Sequence, residues 1–509
     1  MSQKSNENCN HSKAVVIGSG FGGLATAIRL QLKGYETTVF ERLSQPGGRA
    51  TVFQQDGFKF DAGPTIVTAP FLLEEIWALC GKKFSDHVDL RPMDPFYKIR
   101  FDDGSFFNYS GDHEKMKKEV AKFSPSEVDA YEKFMLQAEK CYKLGYEDLG
   151  NLAYNSLGDL LRSIPSMIKM RAWRSIYKMV SIFFKNDKLR RVFSFHPLLI
   201  GGNPASVTCV YSLIAALERR YGVHSAMGGT GAIINEMVVL FKNLGGKIVF
   251  NAEVSKIEIK NNQTKGVFLK NNKFYDANIV ISNADTSWTY QNLIDAKYRK
   301  VWTNKKINKI DYSMSLFVWY FGTNKKYENV DHHTILLGKK YLSLLEDIFK
   351  NKTLSKHFSL YLHRPTATDP SLAPPGCDSF YVLSPVPNLE GNLDWTNLAE
   401  DYKNKIMIYL EKSILPGLSK SIVTSKVMTP FDFRERYLAF NGAAFGMEPI
   451  LTQSAWFRPH NQSEDIKGLY MVGAGTHPGA GIPGVLTSAK LLDKVIPSPQ
   501  DIPNESTYI

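Results

Sequence analysis

The chain has 509 residues, of which 43% are apolar, 22% charged and 12% aromatic, a balance that excludes a disordered, collagen-like or disulfide-scaffold polypeptide. Its length allows about three lobes of roughly 150 residues each. The formal charge of +12 (62 Lys+Arg against 50 Asp+Glu) leaves nucleic acid, an anionic membrane or an acidic ligand open as partners, so the position of the charge along the chain decides.

The N-terminal stretch MSQKSNENCNHSK is polar and lacks the apolar run of a signal peptide. No apolar run approaches the roughly 18–20 residues of a transmembrane helix, so the expected location is the cytoplasmic side. Residues 13–41 then read KAVVIGSGFGGLATAIRLQLKGYETTVFE. Ala14 to Ile17 is a strand-length apolar run, Leu24, Ala27, Ile28 and Leu32 recur at helical spacing, and Thr37 to Phe40 is a second strand. Between the first strand and the helix lies G-x-G-x-x-G at Gly18, Gly20 and Gly23. These glycines serve a tight turn, close approach of a pyrophosphate, and packing of the helix on the strand. Glu41, at the second strand's end, has the position of a carboxylate that accepts ribose hydroxyls. Strand, turn, helix, strand and acid together predict a dinucleotide site. A second glycine pair, Gly47-Gly48, with Arg49 beside it, follows at once and favours FAD over NAD, although Pro46-Gly47-Gly48 taken alone is simply a turn.

Residues 96–109 read as a hairpin turning at Asp103-Gly104, and 135–224 read as helical. Within that region, residues 162–191 hold nine basic side chains against Asp187 alone, a net of +8 and two-thirds of the charge of the whole chain. Ile164, Ile168, Trp173, Ile176, Tyr177, Val180 and Phe184 approximate one helical face there. This is the pattern of a helix lying on an anionic bilayer, or of a core-facing helix with a solvated basic back. Residues 228–285 return to α/β grammar and are expected to extend the nucleotide-binding sheet, and 291–430 alternate strands with polar loops. Near the C-terminus, Leu469 to Val472 is a strand leading into Gly473-Ala474-Gly475-Thr476. Glycines at 479, 481 and 484 then open a helix at Val485, the kind of turn that faces a flavin. The five cysteines (Cys9, Cys80, Cys141, Cys209, Cys377) have neither CxxC nor zinc spacing and read as free thiols. His332-His333 has no Cys or carboxylate frame beside it, so no metal site is expected.

The segments GSGFGGLATAIRL, ERLSQPGGRA, FDAGPT, FSFHPLLIGGNP, GGTGAIINEMV, AFGMEPILTQSAWFRPHN and VGAGTHPGAGIPGV together resemble the bacterial-type phytoene desaturases. These are the carotenoid desaturase branch of the flavin amine-oxidase superfamily, and the likeness runs from about residue 13 to about 492. The resemblance implies an α/β fold with a discontinuous Rossmann-like FAD-binding domain (12–75, 225–290 and 466–494), a β-sheet substrate domain (76–134 and 291–465) and a helical membrane-facing lobe (135–224). It implies non-covalent FAD and stepwise dehydrogenation of phytoene, through phytofluene, zeta-carotene and neurosporene, to lycopene. Oxygen or a quinone would be the electron acceptor, the enzyme would sit peripherally on an anionic membrane, and nucleic acid is not a partner. Gly18, Gly20, Gly23, Glu41, Gly48 and Arg49 would hold the ADP and pyrophosphate half, Val254 the adenine, and Gly473, Gly475, Gly484 and Val485 the isoalloxazine. Asp159 and Arg162 match a carboxylate–guanidinium pair placed near the flavin in this family, and their i,i+3 spacing equally allows a simple helix salt bridge. A C30 dehydrosqualene desaturase, a carotenoid oxygenase or isomerase, and a prenyl-protein escort of the GDP-dissociation-inhibitor type share the scaffold and remain as alternatives.

Overall fold

The computed structural model describes residues 12–154 and 156–502. Cys9, the rest of the polar N-terminal stretch and the last residues of the tail lie outside the described residues. The strand Lys13–Ile17 forms the middle of a five-stranded sheet ordered Lys247–Val249, Glu36–Phe40, Lys13–Ile17, Ile279–Ser282 and Leu469–Met471, every pair parallel. Ala14, Val15, Val16 and Ile17 are all buried, as a strand covered on both faces requires. Burial of each Val or Ile side chain here is worth about 1.5–3 kcal/mol. The helix Phe21–Lys33 packs on this sheet between the helices Ile482–Val495 and Thr230–Asn243, and ends at Gly34 in the left-handed conformation. Chain segments hundreds of residues apart thus meet in one sheet.

One expectation needs correction. Of residues 228–285, only Lys247–Val249 and Ile279–Ser282 join the parallel sheet. Val254–Lys260, Gln263–Leu269 and Phe274–Asp276 form a separate antiparallel sheet. The turn between the first two of these strands is Asn261-Asn262, both at positive φ, which reverses the chain without a crossover helix.

A seven-stranded mixed sheet forms the second layer, ordered Ile422–Met428, Ser315–Thr323, Asp378–Val386, Leu360–His363, His333–Leu337, Tyr97–Phe101 and Phe106–Tyr109. All nine residues of Ser315–Thr323 are buried. Phe317, Trp319 and Phe321 pack towards the helix Trp395–Ser413, through Trp395 and Tyr402. Leu316 and Val318 line a cavity. The period of two therefore splits one strand between a core and a binding surface.

The basic segment is three short helices, Leu157–Lys169, Ile176–Phe183 and Asp187–Ser194, and the predicted apolar face divides between them. Ile176, Val180 and Phe184 are fully buried in the core. Ile168 and Trp173 stand 58% and 61% exposed, and Leu157 and Leu161 join them on the outside. Lys188 pairs with Asp103 and Arg191 with Asp187, which leaves the exposed basic side chains chiefly at Arg162, Lys169, Arg171, Lys178 and Lys185. Cys80, Cys141, Cys209 and Cys377 are free thiols. No helix among the described residues is long and apolar enough to cross a membrane.

Candidate active site

The glycine turn is built as its spacing predicts. Gly18 closes the first strand at φ +92° and donates its N–H to the Phe40 carbonyl at 2.8 Å, joining the two strand ends. A Cβ on Gly23 would be driven into the Gly18 carbonyl, so only glycine lets the helix sit this close to the turn. Glu41 is buried. Its Oε2 accepts from the Ser19 N–H at 2.9 Å and the Ser19 hydroxyl at 2.7 Å, and its Oε1 accepts from the Leu43 N–H at 2.9 Å. An ionised carboxylate has about four lone-pair sites, so capacity for a ribose hydroxyl remains.

The C-terminal turn closes on the same place. A Cβ on Gly22 would lie 3.0 Å from Val485 Cγ1 and 3.3 Å from Gly473 Cα. Arg458, 1% exposed, holds this second turn: its Nη2 donates to Ala474 O at 2.9 Å and to Met447 O at 3.3 Å. Burial lowers the pKa of its guanidinium. His477, buried in the same loop, is pushed down to about 3 by burial, with the Arg458 cation adding to the effect, and remains neutral. Arg49 lies across from Asp285. Burial lowers the guanidinium and raises the carboxyl, and each charge opposes the other's shift. A cation with spare donors at a crowded glycine turn suits a pyrophosphate.

Both turns open into one continuous cavity of about 540 Å³. Gly18, Gly20, Glu41, Gly48, Arg49, Val254, Gly473, Gly484 and Val485 line it. Gly23 lies beneath it as a packing residue, and Gly475 backs onto the Thr286 side chain instead. Beyond the glycine turns the wall becomes hydrocarbon: Leu198, Ile214, Leu316, Leu360, Leu383 and Phe445. The polar side chains in this half include Thr65, Tyr361 and Tyr381, which hydrogen-bond one another, and Glu218, which accepts from Tyr97 at 2.6 Å.

The structure places Asp159 and Arg162 in the first turns of the helix Leu157–Lys169. Neither lines the cavity. Asp159 Oδ2 accepts from the N–H and hydroxyl of Ser156, both at 3.1 Å, closing a capping box at the start of Leu157–Lys169. Arg162 is 85% exposed and stands 3.9 Å from Asp159. The carboxylate's acceptors serve a helix terminus, so the pair behaves as a local helix feature.

Sequence reasoning missed Asn283, whose side chain lies against Gly18, Gly20, Gly22 and Gly473 at once. Its only signal was its place after a parallel strand. It also missed that His363 joins His332 and His333, bringing one nitrogen of each ring within 4.8 Å of the others.

A Rossmann-type glycine turn, a second glycine turn folded against it and an apolar chamber beyond define a flavin-dependent oxidoreductase that binds FAD. The chain belongs to the flavin containing amine oxidoreductase family, which it matches over residues 21–491. It is 46% identical over 476 residues to a lycopene-forming phytoene desaturase of Pantoea ananas, covering 93% of this chain and 97% of the relative. It is likewise 46% identical over 501 residues to a neurosporene-forming phytoene desaturase of Rhodobacter capsulatus, with 97% and 95% covered. Among solved structures, a putrescine oxidase superposes with a TM-score of 0.64 at 12% identity, covering 95% of this chain and 99% of that one, which shows the shared fold.

Proposed function

We propose that the protein desaturates phytoene stepwise to lycopene at the cytoplasmic face of an anionic membrane. The observation that carries this reading is the continuity of a dinucleotide cradle with a hydrocarbon chamber. Phytoene has no charge, carbonyl or hydroxyl, so only shape and apolar contact can hold it, and the chamber offers mainly these. Bound FAD supplies a hydride acceptor. The chain's part is to hold the polyene in register, to exclude water, and to receive the proton left on the adjacent carbon. Phytofluene, zeta-carotene and neurosporene are the intermediates of this series. Oxygen or a quinone is the proposed electron acceptor.

The helix Leu157–Lys169 supports the membrane part of the reading. Leu157, Leu161, Ile164 and Ile168 recur along its exposed side, while Met167 of the same helix lines the chamber. One helix therefore separates hydrocarbon space inside from an apolar, basic surface outside. An enzyme lying on lipid by this face would draw its substrate from the bilayer without passing it through water.

Expression in cells that accumulate phytoene, followed by pigment chromatography, tests the proposal. Lycopene is the expected product. Accumulation of neurosporene would shorten the series, and unchanged phytoene beside turnover of a C30 analogue would overturn the substrate assignment.

A further inference from the structure

The seven-stranded sheet carries a row of buried polar rings beneath the chamber. Strand register sets His333 opposite His363, and His363 opposite Tyr381. The ring centroids are 5.3 Å and 4.9 Å apart in turn. Tyr361, two residues before His363 on its strand, shares the face. Its hydroxyl lies 2.9 Å from Thr65 Oγ1 and 2.6 Å from His333 Nδ1. At the other end, His363 Nε2 lies 3.0 Å from His332 Nε2, and His332 Nδ1 lies 2.6 Å from the Thr368 hydroxyl. Thr65 and Tyr361 line the chamber, whereas Thr368 is half-buried next to exposed Ala367. The polar chain therefore runs from the hydrocarbon space to the protein surface.

We propose that Tyr361, His333, His363 and His332 form an exit path for the proton that the hydrocarbon loses, with Tyr361 as the group that touches the substrate. The inference rests on the dehydrogenation reading. When the hydride has left one allylic carbon with its electron pair, the neighbouring C–H bond breaks and its electrons form the new double bond. The released proton passes to the Tyr361 oxygen as the phenolic proton passes to His333 Nδ1. His333 then gives up the proton on Nε2 towards the His363–His332 pair, and His332 releases one through Thr368 to solvent. No net charge stays in the chamber.

Two features favour conduction over storage. His333 Nε2 and His363 Nδ1 are buried and have no partner among the described residues, as the open link of such a path would be. One nitrogen of each of the three rings lies within 4.8 Å of the others, a span that one bridging water or a ring flip closes. Burial drives all three imidazoles below their ordinary value of 6.5, His332 to about 4 with Arg364 adding to the effect. Each ring is therefore neutral at rest, with one donor and one acceptor, and gives up an extra proton readily. The same three histidines make a poor metal site. A tetrahedral zinc with bonds of about 2.0–2.1 Å needs ligand atoms roughly 3.3 Å apart. The charge that acts on His332 is a cation, Arg364, held by Asp378, while the adjacent Asp331 pairs with Lys98.

The test uses holoenzyme with phytoene in liposomes, scored by anaerobic single-turnover reduction of the bound flavin. Tyr361→Phe is expected to slow this step about 100-fold at unchanged flavin content. His332→Ala is expected to slow turnover and to be restored by added imidazole, which leaves wild type unaffected. Apart from activity, 15N-histidine NMR of Tyr361→Phe is expected to shift the Nδ1 resonance of His333. Wild-type rates in both variants would overturn the path while leaving the desaturation reading intact, and so would one tightly held divalent metal per chain. Wild-type protein that leaves phytoene unchanged overturns the desaturation reading and this path with it.

Discussion

Replacing Glu41 with Gln tests the dinucleotide site at its most constrained point. The side chain keeps its shape, but one oxygen becomes an NH2 group. If that group replaces Oε1 it confronts the Leu43 N–H, now 2.9 Å away, and if it replaces Oε2 it confronts the Ser19 N–H, also at 2.9 Å. Either way one charge-assisted hydrogen bond is lost, about 1.5–3 kcal/mol, and where the unpaired N–H is the buried one of Ser19 the cost is about 1–3 kcal/mol more. Ribose loses a charged acceptor as well, which at about 1.5–3 kcal/mol converts to a roughly 10- to 150-fold rise in Kd for FAD. The assay is titration of apoprotein with FAD, followed by flavin fluorescence, beside thermal unfolding without cofactor. A variant that binds FAD within twofold of wild type would refute the assignment of Glu41 to the ribose. A variant that also unfolds at the wild-type temperature would refute the hydrogen-bond reasoning itself.

Asp61 gives a pH dependence of known sign. It is buried and accepts from the Thr230 N–H at 3.0 Å and hydroxyl at 3.1 Å. Burial raises it from 3.8 to about 6, with the Thr230 bonds opposing. The folded state thus holds its proton more tightly than the unfolded one. This contribution is full below about pH 4 and is lost as pH rises to about 6, up to ~3 kcal/mol, and Asp61→Asn removes the slope in denaturant titrations. An unchanged slope would refute the attribution. Arg458→Met is expected to cost about 2–4 kcal/mol in thermal unfolding and to weaken flavin retention, since it frees the Ala474 and Met447 carbonyls. Ile168→Asp combined with Trp173→Ala is expected to reduce flotation with anionic liposomes while flavin content holds. Unchanged flotation would remove this face from the docking surface. Asp159→Asn is expected to lower stability by about 0.5–2 kcal/mol through the capping box and to leave flavin reduction unaltered, and a collapse of that rate would restore a catalytic role.

The first βαβ unit was legible because everything it needs lies within 30 residues: strand, turn, helix and acid follow from local sterics and period. The second glycine turn was legible for the same reason. The amphipathic segment was only half legible. Periodicity showed that residues 162–191 form helices with apolar faces, but not whether a face finds a partner. Packing decided that Val180 and Phe184 enter the core while Ile168 and Trp173 stay outside. The separate antiparallel sheet of residues 254–276 was hidden because strand patterns do not name their neighbours.

By itself, then, the sequence determined a flavin-type dinucleotide cradle and a chain with an apolar substrate region, since those depend on local backbone freedom and composition. Only the tertiary structure decided that Asn283 completes the glycine cradle. It alone set His332, His333 and His363 in one row below the chamber. These are contacts between strands and loops far apart in the chain. Sheet register and packing fix them, and no local spacing encodes either.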